Sequence, residues 1–145
     1  LGAFLAVYAL DAGKGALAAW MGLVTGLLAA VICGAGGVLG HCFTPLLGGR
    51  GGKGVATATG ALLVLDWRVT AIALAVFFAV RFATGQVFFG SLALGVALAA
   101  SAVLLDVPRA FDDRLPLTVF TFALAGFLFW THRRNLREFV GGRAA

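Results

Sequence analysis

The chain has 145 residues, of which 61% are hydrophobic and only 12% charged, with a mean hydropathy of +1.03. A soluble domain has about 25% charged residues, so the composition excludes one and allows about six membrane spans of ~20 residues each. The net charge of +5 comes without a base-reading motif or aromatic–basic alternation, which directs it to topology and anionic ligands rather than to nucleic acid.

The expected fold class is therefore all-α, a polytopic membrane helix bundle forming one integral domain over residues 1–145. Leu1–Gly22 reads as a first span. Asp11 and Lys14 lie inside it at i, i+3, on one helical face, with Gly13 and Gly15 beside them. Ionisable groups inside a span are costly and usually face a bundle interior or a site; a self-neutralising pair that merely packs is the other reading. Val24–Gly40 is a second span whose Gly34-Ala-Gly-Gly run suits close helix packing, with His41 at its end. Cys33 and Cys42 lack C-x-x-C spacing and read as packing residues.

The longest polar interruption follows, from His41 to Gly60. Gly48, Gly49, Gly51, Gly52 and Gly54 surround Arg50 and Lys53. Such a loop ahead of a helix N-terminus can present backbone N–H groups to an anion, with Lys53 as a point charge and Arg50 as a forked donor. It can equally be a basic connection that holds topology. It is not a nucleotide-hydrolysing P-loop: three residues, not four, separate Gly48 from Gly52-Lys53, and Gly54 replaces the Ser or Thr that would hold Mg²⁺. His41 is a candidate site residue only because it adjoins this loop.

Val55–Leu65 is short for a span. Asp66-Trp67-Arg68 reads as an interfacial turn, and Val69–Phe82 as the next span, ending at Arg81. Thr84-Gly85-Gln86 breaks the pattern before a fifth span, Val87–Leu105. A polar loop, Asp106–Pro116, precedes the last span, Leu117–Thr131. The tail opens with His132-Arg-Arg-Asn135, placing His132 and Asn135 at i, i+3 on a helix expected to continue that span. The pair can be an acid–base group with an orienting amide, or part of a basic segment that holds lipid headgroups. Six alternating spans would gather Arg50, Lys53, Arg81, Arg133, Arg134, Arg137 and Arg143 on one side, against Arg68, Arg109, Arg114 and four Asp on the other. The seven-cation side is then cytoplasmic.

Taken together, Asp11-x-x-Lys14-Gly15, Gly40-His41-x-Phe43, Gly51-Gly52-Lys53-Gly54-Val55-Ala56-Thr57, Arg81 and His132-Arg133-x-Asn135 resemble the bacterial acyl-phosphate-dependent glycerol-3-phosphate acyltransferases. The resemblance implies a multi-pass enzyme of the bacterial inner membrane with its site and C-terminus on the cytoplasmic face. Its substrates would be acyl phosphate and glycerol 3-phosphate, acylated on the 1-hydroxyl to lysophosphatidic acid without cofactor or metal. It further implies that Lys53 binds phosphate and that His132 and Asn135 belong to the active site. Asp11, Lys14, His41 and Arg81 match family positions and, with Arg50 and the loop glycines Gly51, Gly52 and Gly54, complete the expected binding set. Two departures stand out. The family's Ser-Gly-Asn-x-Gly-type first motif and its first span have no counterpart, so the chain is expected to be N-terminally incomplete. The family's Arg-Tyr-x-Ser-Leu-x-Ser turn reads Arg81-Phe-Ala-Thr84-Gly-Gln86-Val, with Thr84 standing in for one hydroxyl. The competing readings are an inactive remnant or structural subunit, and a small-anion transporter; the latter would favour a midplane site and an internal repeat, and no repeat is visible.

Overall fold

The breaks between helices fall at glycine, proline or a capping acid, except between α6 and α7, where the break is at His132. In the computed structural model, which describes residues 2–44, 48, 49 and 51–142, the helices are α1 (Gly2–Leu23), α2 (Leu27–Cys42), α3 (Val55–Leu65), α4 (Trp67–Thr84), α5 (Val87–Leu104), α6 (Leu115–Thr131) and α7 (Arg133–Val140). A short 3-10 turn, Arg109–Phe111, lies between α5 and α6. Gly54 (φ 82°) and Gly85 (φ 72°) take the left-handed conformation that only glycine adopts freely, one starting α3 and the other ending α4. Asp66 is not in a turn, as the sequence suggested. It is the single extended residue between α3 and α4, and its carboxylate accepts the Arg68 N–H (2.9 Å) and the Val69 N–H (3.3 Å) to cap α4, which therefore begins at Trp67.

By length and composition, α4 and α5 can each cross a membrane, and α6 with α7 makes a third span if the pair, bent by 50°, counts as one. α2 and α3 are shorter apolar helices. The protein is thus a multi-pass membrane helix bundle, with α4 beginning two residues earlier and ending two residues later than the sequence suggested.

Small residues let these helices touch backbone to backbone. A Cβ on Gly15 would run into the Thr57 carbonyl oxygen, and one on Gly60 into that of Ala12, so α1 and α3 meet where neither tolerates a side chain. Gly34 of α2 faces Ala61 and Ala19, and Gly37 faces Ala18. Apolar side chains are no drier against each other than against lipid tails, so such close packing is what joins helices in a bilayer. Leu62, Leu94, Leu98, Leu117 and Leu128 fill the buried centre.

Polar groups gather at two ends. At one, Arg68 and Arg114 bridge the nearly buried carboxylates of Asp66 and Asp106: Arg68 Nη2 lies 3.1 Å from each, Arg114 Nη2 donates to Asp66 at 2.6 Å, and Arg114 Nη1 pairs with Asp106. Burial alone would raise the Asp66 pKa, but the side-chain bonds from Arg68 and Arg114 and two backbone N–H groups hold it below the usual carboxylate range. This network fastens the α3–α4 junction to the α5–α6 loop. The candidate site lies at the other end of α5, ~27 Å away for its 18 residues, close to the thickness of a hydrocarbon core.

Candidate active site

Three glycines fix the loop onto the C-terminal end of α2. Gly51 donates its N–H to the Cys42 carbonyl (2.9 Å), and a Cβ there would collide with the His41 carbonyl oxygen. A Cβ on Gly52 would enter the His41 ring, and one on Gly54 would come within 2.9 Å of Cys42 Sγ. All three glycines are therefore required by close approach, and Gly54 also by its left-handed backbone. Phe43 braces the same junction against α6, its ring 6.2 Å from Phe127 and 6.0 Å from Trp130.

Held this way, Lys53 reaches across to α7 and donates to Asn135 Oδ1 at 2.6 Å. Its main-chain carbonyl accepts from Thr131 Oγ1 at 3.4 Å. Partial burial lowers the Lys53 pKa, the Arg134 charge lowers it further, and Glu138 opposes the shift. With Oδ1 occupied as acceptor, the Asn135 amide hydrogens are that side chain's donors.

His132 sits between α6 and α7 and is 2% exposed. The sequence suggested a helix continuing straight through it; instead the axis bends by 50°. The Leu128 carbonyl receives both the His132 main-chain N–H (3.1 Å) and the ring Nδ1 (2.8 Å), and the Trp130 carbonyl is drawn out to Arg133 Nη1 (2.7 Å). Side chains inserting into the carbonyl ladder in this way bend helices. A carbonyl can only accept, so Nδ1 carries the proton and, in the neutral ring, Nε2 holds the free lone pair. Burial lowers the His132 pKa, the Leu128 bond partly offsets it, and the Lys53 charge adds to the lowering. The outcome is a neutral imidazole with its basic nitrogen defined.

Lys53, His132 and Asn135 line one cavity of about 500 Å³ together with Asp11, His41, Gly52 and Gly54. The rest of its wall is largely apolar, from Val7, Val55, Phe77, Val87 and Phe88. A second cavity, about 400 Å³, is lined by Asp11, Lys14, Gly37, Gly40, His41, Thr44, Gly51 and Gly52. Asp11, His41 and Gly52 face both. Asp11 pairs with Lys14 at 2.6 Å and lies 3.5 Å from His41 Nδ1.

Most of the expected site residues thus converge, with Lys14 and Gly51 confined to the second cavity. Arg81, in the last turn of α4, lines neither cavity, and Arg50 lies outside the described residues. Nor does Thr84 offer its hydroxyl to the site: it donates to the Val80 carbonyl (2.7 Å) and accepts the Gln86 N–H (3.3 Å). Gln86 and Ser91 line the larger cavity instead. The sequence marked Gln86 only as part of a break and Ser91 only as a small packing position, because facing a cavity is a property of how α5 is rotated.

Comparison with known proteins gives consistent matches. The family model described as glycerol-3-phosphate acyltransferase matches residues 1–142. The glycerol-3-phosphate acyltransferase of Jannaschia sp. (strain CCS1) is similar to this chain, 42% identical over 146 residues that make up 99% of this chain and 67% of the relative. Glycerol-3-phosphate acyltransferase 1 of Deinococcus radiodurans is 36% identical over 147 residues, 97% of this chain and 69% of the relative. The chain therefore spans about two thirds of the length of these relatives. Crystal structures of PlsY (YgiH), an integral membrane glycerol 3-phosphate acyltransferase, in glycerol 3-phosphate and lysophosphatidic acid forms, superpose with TM-scores of 0.87 and 0.88. Each is 22% identical and covers 97% of this chain and 69% or 70% of its own, a likeness of fold.

Proposed function

The chain belongs to the glycerol-3-phosphate acyltransferase family, and from that premise we propose that it moves an acyl chain from acyl phosphate to the 1-hydroxyl of glycerol 3-phosphate. The products are lysophosphatidic acid, a precursor of phospholipids, and inorganic phosphate. The observation that carries the mechanism is the buried His132, its Nδ1 committed to the Leu128 carbonyl.

In this reading His132 Nε2 takes the proton of the substrate hydroxyl as its oxygen attacks the acyl carbon. The carbonyl π electrons move to oxygen, and the Asn135 amide hydrogens stabilise that developing oxyanion. As the carbonyl re-forms, the carbon–oxygen bond to phosphate breaks and phosphate leaves. Acyl phosphate is already activated, so no covalent enzyme intermediate is needed. Lys53 holds a phosphate beside the reacting carbon, supplying charge and proximity. Val55, Phe77 and Phe88 form the apolar wall along which the acyl chain lies. Asp11, Lys14 and His41 serve the second, polar cavity.

The donor is tested by offering acyl phosphate, acyl-coenzyme A and acylated carrier protein in turn with labelled glycerol 3-phosphate to membranes containing the protein. Lysophosphatidic acid is expected from acyl phosphate alone; equal product from a thioester would overturn the assignment.

We further infer that this domain sits in the bacterial inner membrane with the site end and C-terminus cytoplasmic. Lys53, Arg81, Arg133, Arg134 and Arg137 belong to that end, whereas at the other end Arg68 and Arg114 are paired with buried carboxylates, the asymmetry that sets topology. A lone cysteine introduced at Gly142, with Cys33 and Cys42 replaced, should resist impermeant maleimide in intact cells. Labelling from outside would reverse the orientation.

A further inference from the structure

α7 has two unlike sides. Arg133, Arg134 and Arg137 are all exposed and fall within an arc of ~100° at 3.6 residues per turn. The adjoining arc carries Leu136, Phe139 and Val140, with Val140 bordering Arg133, and Phe139 and Val140 are 46% and 84% exposed. The 50° bend turns this helix away from the α6 axis, and Phe139 rests on Phe88 and Phe89 with ring centroids 6.0 and 4.9 Å away. At the bend, the Arg133 guanidinium lies over the half-exposed Trp130 ring, 4.2 Å from its centroid. Glu138 neutralises Arg134 only from an exposed position, 3.2 Å away.

We propose that the Arg133–Arg134–Arg137 face of α7 docks the headgroups of anionic phospholipids in the leaflet at the site end of the bundle. A helix with cations on one side, exposed apolar residues on the adjoining arc and an indole at its start has the pattern that lies in a membrane interface. An acidic soluble protein would complement the arginines but would leave Val140 and the part of Phe139 not packed on Phe88 and Phe89 facing water; a lipid surface accounts for both the charge and the apolar exposure. The same helix carries Asn135, bonded to Lys53, so headgroup docking steadies one wall of the larger cavity. The docking itself goes beyond the acyl-transfer reading and does not depend on it.

The test uses the whole chain in nanodiscs of phosphatidylcholine with trace spin-labelled phosphatidylglycerol or spin-labelled phosphatidylcholine. The fraction of each label immobilised at the protein boundary is read by electron paramagnetic resonance. Phosphatidylglycerol should be preferred at low salt, and the preference should shrink about fivefold for each arginine removed in Arg134→Gln and Arg137→Gln, and with added salt. Equal immobilisation of the two labels, or a preference that the double variant keeps, overturns the proposal. Because the readout is not activity, failure of the acyl-transfer reading would leave this result standing, and the converse holds too.

Discussion

Replacing His132 with Ala or Gln should lower kcat by ~10²–10⁴-fold, the usual contribution of a positioned acid–base group, in protein whose membrane insertion is verified. The structure supports the upper part of that range for two reasons. His132 is buried rather than reaching into solvent, so bulk water is poorly placed to take over the proton. Its tautomer is fixed by the Leu128 carbonyl, so Nε2 is ready to accept without rearrangement. Gln keeps the side chain polar but cannot carry a proton away from the hydroxyl, and it should fare little better than Ala. The alternative, in which this segment merely holds headgroups, makes His132→Gln harmless. Near-normal turnover in that variant would remove His132 from the chemistry.

Lys53→Ala should lower kcat/KM by about 10- to 150-fold, the equivalent of one charge-assisted contact worth ~1.5–3 kcal/mol. The loss should appear chiefly in the concentration of phosphate substrate required. Lys53→Arg should rescue only in part: a planar fork does not reproduce a point charge, and the site has the Asn135 oxygen at 2.6 Å to accommodate. That contact also predicts coupling. Asn135→Ala should impair turnover alone, yet the double variant should lose less than the sum of the two free-energy changes, because each single change already breaks the shared unit. Steady-state kinetics on the four proteins of this cycle settle it, and strict additivity would mean that Lys53 and Asn135 act separately.

Lys53, His132 and Asn135, which line one cavity, were singled out in the sequence by loop composition and i, i+3 spacing, but only the family resemblance gave them roles. The convergence of loop and tail was readable too, from the alternation of spans and the placement of cations. What could not be read depends on rotation and contact in three dimensions. The i, i+3 spacing of His132 and Asn135 brings them together whether or not the helix is straight, so it concealed the bend and the Leu128 bond that defines Nε2. Thr84 looked like a site hydroxyl by position, but a threonine near a helix end has its own backbone within reach and is consumed there. Gly51 and Gly52 read as phosphate-cradle residues from composition alone; that His41 also excludes a Cβ from both could not be seen there. Asp66, expected in a turn, became a helix cap and half of a buried ionic network because Arg114 arrives from 48 residues away, a distance no local pattern spans.

The claim that His132 is the base is tested most directly by the pH dependence of kcat/KM, which reports the free enzyme, for the reconstituted protein with acyl phosphate and glycerol 3-phosphate. The base must be unprotonated to work, so activity rises with pH through its pKa. Burial and the Lys53 charge set that pKa below the ordinary 6.5, so the acid limb should lie below pH 6.5 and the rate should be level through neutrality. His132→Gln should retain only residual activity with that limb gone. An acid limb that persists unchanged in His132→Gln would contradict the account.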